Sequence, residues 1–564
     1  MVRRPLVPAL PAAVLVAVLA LGSSAAASPQ APEGGVDHAA EAAATARAAA
    51  AAGPLDWQPC GEGLEAFLCA TLEVPSDYDE TDGPTTTLAL TLLPASGTPE
   101  QRIGTLLTNP GGPGGSGVDF VQQSAPYAYT PEVLAAYDVL GFDPRGVSRS
   151  DPATCFATAA EELGDRFLQL SYPLGVREES RFQAESRRFA VRCNAVSGDR
   201  FATSSTADVA RDMDVVRRAV GDTTLHYAGY SYGTYLGATY ARLFPATVGR
   251  FVLDGTVDPL AWSGTGTGDA ASDVPLGIRT RQAAGADESL DEFTRLCREA
   301  GPQGCSLAAL GDPAVTVPAL FDRLATDPYE LPLPDGTTIE IDQQLAVLTT
   351  FQTLYSPAGW RDLADLLLAL SLPVPDPQQV GAAAVGTRGQ LGAALRQEDY
   401  PSVGGNLASL CVDTLQTGRP EDYDEAIDAY DAQHPYFARA RGWVGLPCEH
   451  WRPAAEDRFT GPWEQTTQAP VLVIGTRFDP ATPYSQTQPY ADLFPAAGTV
   501  TLDGWGHTAI GKSACVDARI TAYLVDGETP ADLVCAPDTT PFQAPSPGAR
   551  SVPRPDVPAG LPQY

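Results

Sequence analysis

The chain reads as an α/β protein, a mainly parallel sheet carrying a large, mostly helical lid inserted before one of its late strands. Three observations carry this. Between Ile103 and Leu253 short apolar runs alternate with segments whose apolar residues recur at helical spacing. From about Pro259 to Gln468 helical candidates continue while clear strands become scarce. At Val471 to Ile474 the strand pattern returns. Two tandem domains fit less well, because the segment after the insertion is too small to build its own sheet core.

Taken in order, the chain starts with Arg3 and Arg4, then an apolar run through Val14, Leu15, Val16, Val18, Leu19 and Leu21. Ala25-Ala26-Ala27 offers a small-residue cleavage site before Ser28, so residues 1–27 are expected to be a signal peptide. The run is short for a membrane span and Pro8 and Pro11 interrupt its start, which leaves an uncleaved anchor as the weaker alternative. Secretion is the expectation, with no stable membrane insertion after cleavage. An extracellular, disulfide-permissive location suits the ten cysteines. Their simplest pairing joins sequence neighbours: Cys60 with Cys69, Cys155 with Cys193, Cys297 with Cys305, Cys411 with Cys448, and Cys515 with Cys535. There is no Cys-x-x-Cys pair and the five histidines are scattered, so neither a metal nor any other cofactor is expected.

Residues 28–52, dominated by Ala, read as a linker or a loose helix. The first part of the core is expected over 53–258. Its strands are Ala70 to Val74, Thr86 to Leu93, Ile103 to Thr108, Asp138 to Phe142, Leu225 to Ala228 and Phe251 to Leu253. Its helices are Thr206 to Val220, with Thr206 as a possible N-cap, and Tyr235 to Leu243. The insertion, 259–468, has helical candidates at Leu290 to Arg298, Val317 to Leu324 and Leu363 to Leu370. The core resumes over 469–538 with strands Val471 to Ile474 and Thr499 to Leu502 and a helix from about Val516 to Leu524. Residues 539–564 form a Pro-rich tail.

Hydrophobic residues make up 44% of the 564 and charged residues 19%, the balance of a globular protein. Acidic residues outnumber basic ones 69 to 36, giving a net charge of −33. That field repels phosphates, which argues against nucleic acid and anionic membranes as partners. Lys512 is the only lysine.

Gly229-Tyr230-Ser231-Tyr232-Gly233 has the form Gly-x-Ser-x-Gly. Alone it is a weak signal, since this composition would produce it by chance about once in four such chains. Its context raises it: the pentapeptide lies where a strand turns sharply into a helix, an elbow that leaves no room for side chains at the two glycines. Such an elbow lifts a serine hydroxyl to the carboxyl end of the sheet, beside a helix N-terminus. A serine nucleophile needs a base. His38 lies in the linker, His226 inside a strand, and His434 and His450 in the insertion. Only His507, in Gly504-Trp505-Gly506-His507-Thr508, sits on a loop after a late strand in the required chain order. Asp479, on the loop after Val471 to Ile474, is the expected orienting carboxylate, with Asp503 its nearest competitor. Oxyanion donors are expected from the N–H of Tyr232 and from the loop Asn109 to Gly117, where Gly112 is assigned and Gly111 is the alternative. The absence of a Gly-Lys-Ser/Thr ending argues against phosphate binding there.

The loop Asn109 to Gly117, the segment Gly141-Phe142-Asp143-Pro144-Arg145-Gly146, the elbow with Thr234-Tyr235-Leu236-Gly237, and the Asp479 and His507 loops together resemble the secreted tripeptidyl aminopeptidases of actinobacteria. Those are α/β-hydrolase serine peptidases related to proline iminopeptidases. The resemblance covers nearly all of residues 55–537. It implies an α/β-hydrolase fold and release of short peptides, tripeptides above all, from peptide or protein N-termini through an acyl-enzyme on Ser231. Relatives commonly have His where Pro110 stands, although the tripeptidyl branch resembles the Asn-Pro form.

An aminopeptidase must also hold a protonated amine. Asp413 and Glu449 in the insertion are candidates, because pairing of Cys411 with Cys448 would draw them together, and Asp413 matches a Cys-x-Asp pattern associated with the family. In so acidic a protein either could equally be a surface acid. Thr482 could tie down the Asp479 loop. The same machinery would serve an esterase or amidase, and a non-catalytic binding module would require a missing member of the Ser-His-Asp set.

Overall fold

The apolar runs assemble into one ten-stranded sheet in the computed structural model, which describes residues 36–332, 338–372, 403–416, 422–451 and 458–543. The expected signal peptide (1–27) and most of the expected Pro-rich tail (539–564) lie outside the described residues. The first seven strands are β1 (Gln58–Pro59), β2 (Leu68–Pro75), β3 (Thr85–Leu93), β4 (Gly104–Asn109), β5 (Tyr137–Phe142), β6 (Leu225–Tyr230) and β7 (Val248–Asp254). Among the described residues, the insertion's strands form a separate hairpin, β8 (Tyr329–Pro332) with β9 (Thr338–Ile341). Then come β10 (Val471–Phe478), β11 (Ala497–Trp505) and β12 (Leu533–Cys535).

The sheet order is β1-β2-β3-β5-β4-β6-β7-β10-β11-β12. The first three pairings are antiparallel and all later ones parallel. Parallel strands are covered on both faces, and accordingly every residue of β4 is buried. One core cluster runs through Leu106, Phe120, Tyr230, Leu472, Val500 and Leu524. Register then places the chemistry: Tyr230 pairs with Asp254, and Asp254 with Ile474. The carboxyl ends of β6 and β7 therefore lie level with each other and with mid-β10.

Local differences from the sequence expectations have physical causes. The helix Thr206–Ala219 is capped by Ser205, not Thr206, in a capping box with Asp208. Thr206 is the first helical residue, and its N–H is taken by Asp413. Of the two readings of residues 28–52, linker or loose helix, the described part follows the second: His38–Ala52 is a regular helix with Asp37 as its N-cap. Its Ala44, Thr45 and Ala48 are buried, and Glu41 pairs with Arg211 while Thr45 donates to Asp214 of the Thr206–Ala219 helix. The start of the tail also packs, with Phe542 buried against Phe293 and Trp360.

The helix Val176–Ala202 is the largest element the sequence pattern did not reveal. It precedes Ser231 in the chain yet joins the insertion: Phe182 meets Trp443, Phe201 meets Trp451, and Glu179 pairs with Arg439. Its many Arg and Glu residues obscured an apolar stripe at Phe182, Phe189 and Cys193. All five neighbour disulfides are formed. Among the described residues no helix is long and apolar enough to cross a membrane.

Candidate active site

Ser231 sits between β6 and the helix Tyr232–Leu243 with φ 56° and ψ −125°. That backbone is rarely adopted by a residue with a side chain and costs about 1–3 kcal/mol. Close packing enforces it. A methyl group on Gly229 would come within 2.4 Å of the Gly233 carbonyl oxygen, and one on Gly233 within 2.8 Å of the Asn109 carbonyl oxygen. Ser231 is only 8% exposed. Its N–H donates to the Asp254 carbonyl at 2.9 Å, so the elbow is pinned to the end of β7.

The loop after β4 lies directly on this elbow. A methyl on Gly111 would be 2.9 Å from Ser231 Cβ and 3.0 Å from Tyr232 N. The Gly111 N–H itself donates to Asn109 Oδ1 at 2.9 Å, which argues against Gly111 as an oxyanion donor. Asp143, from the segment after β5, holds the far end of the loop by accepting from Ser116 Oγ and from Val118 N.

His507 and Asp479 are in direct contact, with Nδ1 at 3.0 Å from each carboxylate oxygen. Asp479 also accepts from the N–H of Ala481 at 2.8 Å, of Thr482 at 2.9 Å and of Thr508 at 3.1 Å, and from Thr482 Oγ1 at 2.9 Å. Burial by itself would raise its carboxyl, but the imidazole and these donors outweigh it and hold Asp479 below the usual carboxylate range. It is therefore a carboxylate at neutral pH, in contact with Nδ1 of the imidazole. Asp503 is instead exposed and lies 3.5 Å from Arg477. Gly255, which follows Asp254, lies beside the imidazole: a methyl there would be 3.5 Å from His507 Cε1.

Several groups at the base loop were not anticipated. The His507 N–H donates to the Tyr355 carbonyl of the insertion at 2.8 Å, and the Tyr355 ring meets the imidazole edge-on. The sole lysine, Lys512, donates to the carbonyls of His507 and Thr508. No local motif marks either role.

The two candidate amine-binding acids have different surroundings. The Cys411–Cys448 disulfide does link their segments. Asp413 is only 1% exposed and spends both oxygens on Thr206, whose hydroxyl also meets the Tyr232 hydroxyl. It joins the insertion to the start of the Thr206–Ala219 helix. Glu449 is half-buried and 3.3 Å from the Tyr423 hydroxyl, near Arg279. Burial pushes its carboxyl up to about 7. The other histidines have their own partners: His226 accepts the Arg250 N–H, His434 bonds Asp287, and His38 bonds the Leu243 carbonyl.

A mostly parallel sheet with a strained serine at a strand–helix turn, followed by an Asp–His pair on later loops, makes this chain an α/β-hydrolase. A profile described as alpha/beta hydrolase fold matches residues 104–279, and one described as TAP-like protein matches residues 434–535. Similar proteins include serine protease Hip1 of Mycobacterium tuberculosis, 33% identical over 85% of this chain and 90% of that protein. Tripeptidyl aminopeptidase of Streptomyces lividans is 30% identical over 90% and 91%. Carboxylesterase B of Mycobacterium tuberculosis is 34% identical over 85% and 90%. The chain belongs to the TAP-like family of α/β-hydrolases and is a serine hydrolase of the tripeptidyl-aminopeptidase-like kind.

Proposed function

We propose that the protein is a secreted serine exopeptidase that releases short peptides, tripeptides in particular, from peptide or protein N-termini. Ser231 Oγ attacks the carbonyl carbon while its proton passes to His507. Asp479 keeps the ring oriented and stabilises the imidazolium. The N–H groups of Tyr232 and Gly112 receive the oxyanion, each contributing about 3 kcal/mol to the barrier reduction. The C–N bond breaks as His507 returns the proton to the leaving amine, and water then hydrolyses the acyl-serine by the same relay. The buried Asp479–His507 contact, with the carboxyl held ionised, is the main support.

Glu449 receives the substrate ammonium, with Asp413 as the anchor beneath Tyr232. A half-buried carboxyl held near neutrality gains most from a cation, because pairing relieves the burial that raised it. Five disulfides and the N-terminal leader pattern support an extracellular location. An esterase activity on the same serine is the second reading, favoured by the similarity to a protein named carboxylesterase B.

Fluorophosphonate labelling of the folded protein tests the nucleophile. Labelling is expected at Ser231 and lost in Ser231→Ala, and its absence from the wild type removes the hydrolase chemistry. A mixed peptide library with free and acetylated N-termini, read by mass spectrometry, tests the specificity. Cleavage confined to free N-termini is expected, whereas equal cleavage of acetylated peptides would sink the aminopeptidase assignment and leave the hydrolase intact.

A further inference from the structure

Asp254 closes β7 with its side chain fully buried. It makes two sets of bonds in opposite directions along the site. Its main-chain carbonyl accepts the Ser231 N–H at 2.9 Å. Its carboxylate accepts the Ala509 N–H at 3.0 and 2.9 Å through its two oxygens, and the Ile510 N–H at 3.0 Å. Ala509 lies just beyond His507 and Thr508 in the chain. The next residue, Gly255, donates to the Ile474 carbonyl at 3.0 Å on the strand that carries Asp479. One residue thus touches the serine elbow directly, the base loop directly and the acid-bearing strand through its neighbour.

We propose that Asp254 is a positioning residue for the reaction, setting the separation of the Ser231 hydroxyl from the His507 ring by clasping both loops to the end of β7. This rests on the triad assigned above. A carboxylate suits the task because two converging N–H groups need acceptors on the same side. An asparagine there offers one acceptor oxygen and turns an amide donor towards the other N–H. The charged groups facing Asp254 are Lys512, which favours its ionised form, and Asp479, which opposes it, with the Tyr230 hydroxyl also nearby. Burial dominates and pushes the carboxyl up to about 6. The clasp is therefore ionised at neutral pH and loses charge as pH falls through that value.

Asp254→Asn and Asp254→Ala in the full chain test this, with fluorophosphonate titration of reactive Ser231 so that misfolded molecules are not counted. The kcat per titrated site is expected to fall about 10- to 100-fold, the scale of a small misplacement of reacting groups, with KM changed less than about twofold. Asn should recover part of what Ala loses. An unchanged kcat per site overturns the proposal. Hydrogen exchange in the wild type decides the matter even if neither variant folds. Protection of the Ala509 and Ile510 amides, corrected for intrinsic rates, is expected to drop between about pH 7 and about pH 5 as the carboxylate is protonated. Constant protection overturns the clasp. A Ser231→Ala variant that keeps activity would instead remove the triad, an outcome distinct from either.

Discussion

Around Ser231 the main chain does the positioning, whereas around His507 side chains do most of it. The serine elbow is shaped by Gly229, Gly233 and the loop at Gly111, where any added methyl would meet backbone atoms. The base loop hangs from Asp479, Asp254 and Lys512 and from the Tyr355 carbonyl of the insertion. Backbone packing has no graded response, because interiors are close-packed and a carbonyl cannot move aside cheaply. A network of hydrogen bonds yields piece by piece. The elbow should therefore fail all at once and the base loop by degrees.

Gly229→Ala is the sharpest attempt to break this contrast and carries the largest expected effect. The new methyl overlaps the Gly233 carbonyl, so fluorophosphonate labelling of Ser231 should vanish; labelling above about a tenth of the wild-type rate would show the elbow to be pliable. Asp479→Asn comes next, with kcat expected to drop about 10⁴-fold as the ring loses its orienting anion while the fold persists. Steady-state kinetics beside a thermal melt will separate the two. Lys512→Met removes the charged donor to the His507 and Thr508 carbonyls, and a loss of about 1.5–3 kcal/mol in denaturant unfolding is expected. No loss would show that the remaining bonds suffice.

The smallest effect concerns the insertion. Glu449 rises from an ordinary 4.5 to about 7 in the fold, so the folded chain favours its protonated form. Stability linked to this group is present below about 4.5 and is lost as pH rises through about 7. Binding runs the other way, since an ammonium needs the carboxylate. KM for peptides with free N-termini should therefore fall several-fold as pH rises through about 7, and Glu449→Gln should flatten that dependence. A profile unchanged in the variant would move amine recognition to another acid.

The contrast also explains what was legible in the chain. Ser231 announces itself because an elbow is a local object: strand, two glycines and helix are adjacent in sequence. Asp479 and His507 were reachable through chain order and the preceding strands. Lys512 and Tyr355 were not, since their roles depend on main-chain carbonyls that no side-chain pattern encodes. The Val176–Ala202 helix was hidden because its buried stripe is interleaved with charge and pairs with an insertion remote in sequence.

By itself, then, the order of residues pointed to the mainly parallel sheet and to the insertion's place before β10, through periodicity. It offered neighbour pairing only as the simplest arrangement of the cysteines, and the candidate Ser-His-Asp set through the elbow and chain order. Only the tertiary structure decided that Asp413 is buried and bonded to Thr206, that Glu449 is half-buried, and that Asp254 bonds two loops. A carboxylate's role depends on which donors reach it and how much water is left around it, and both are set by segments that meet only in the folded chain.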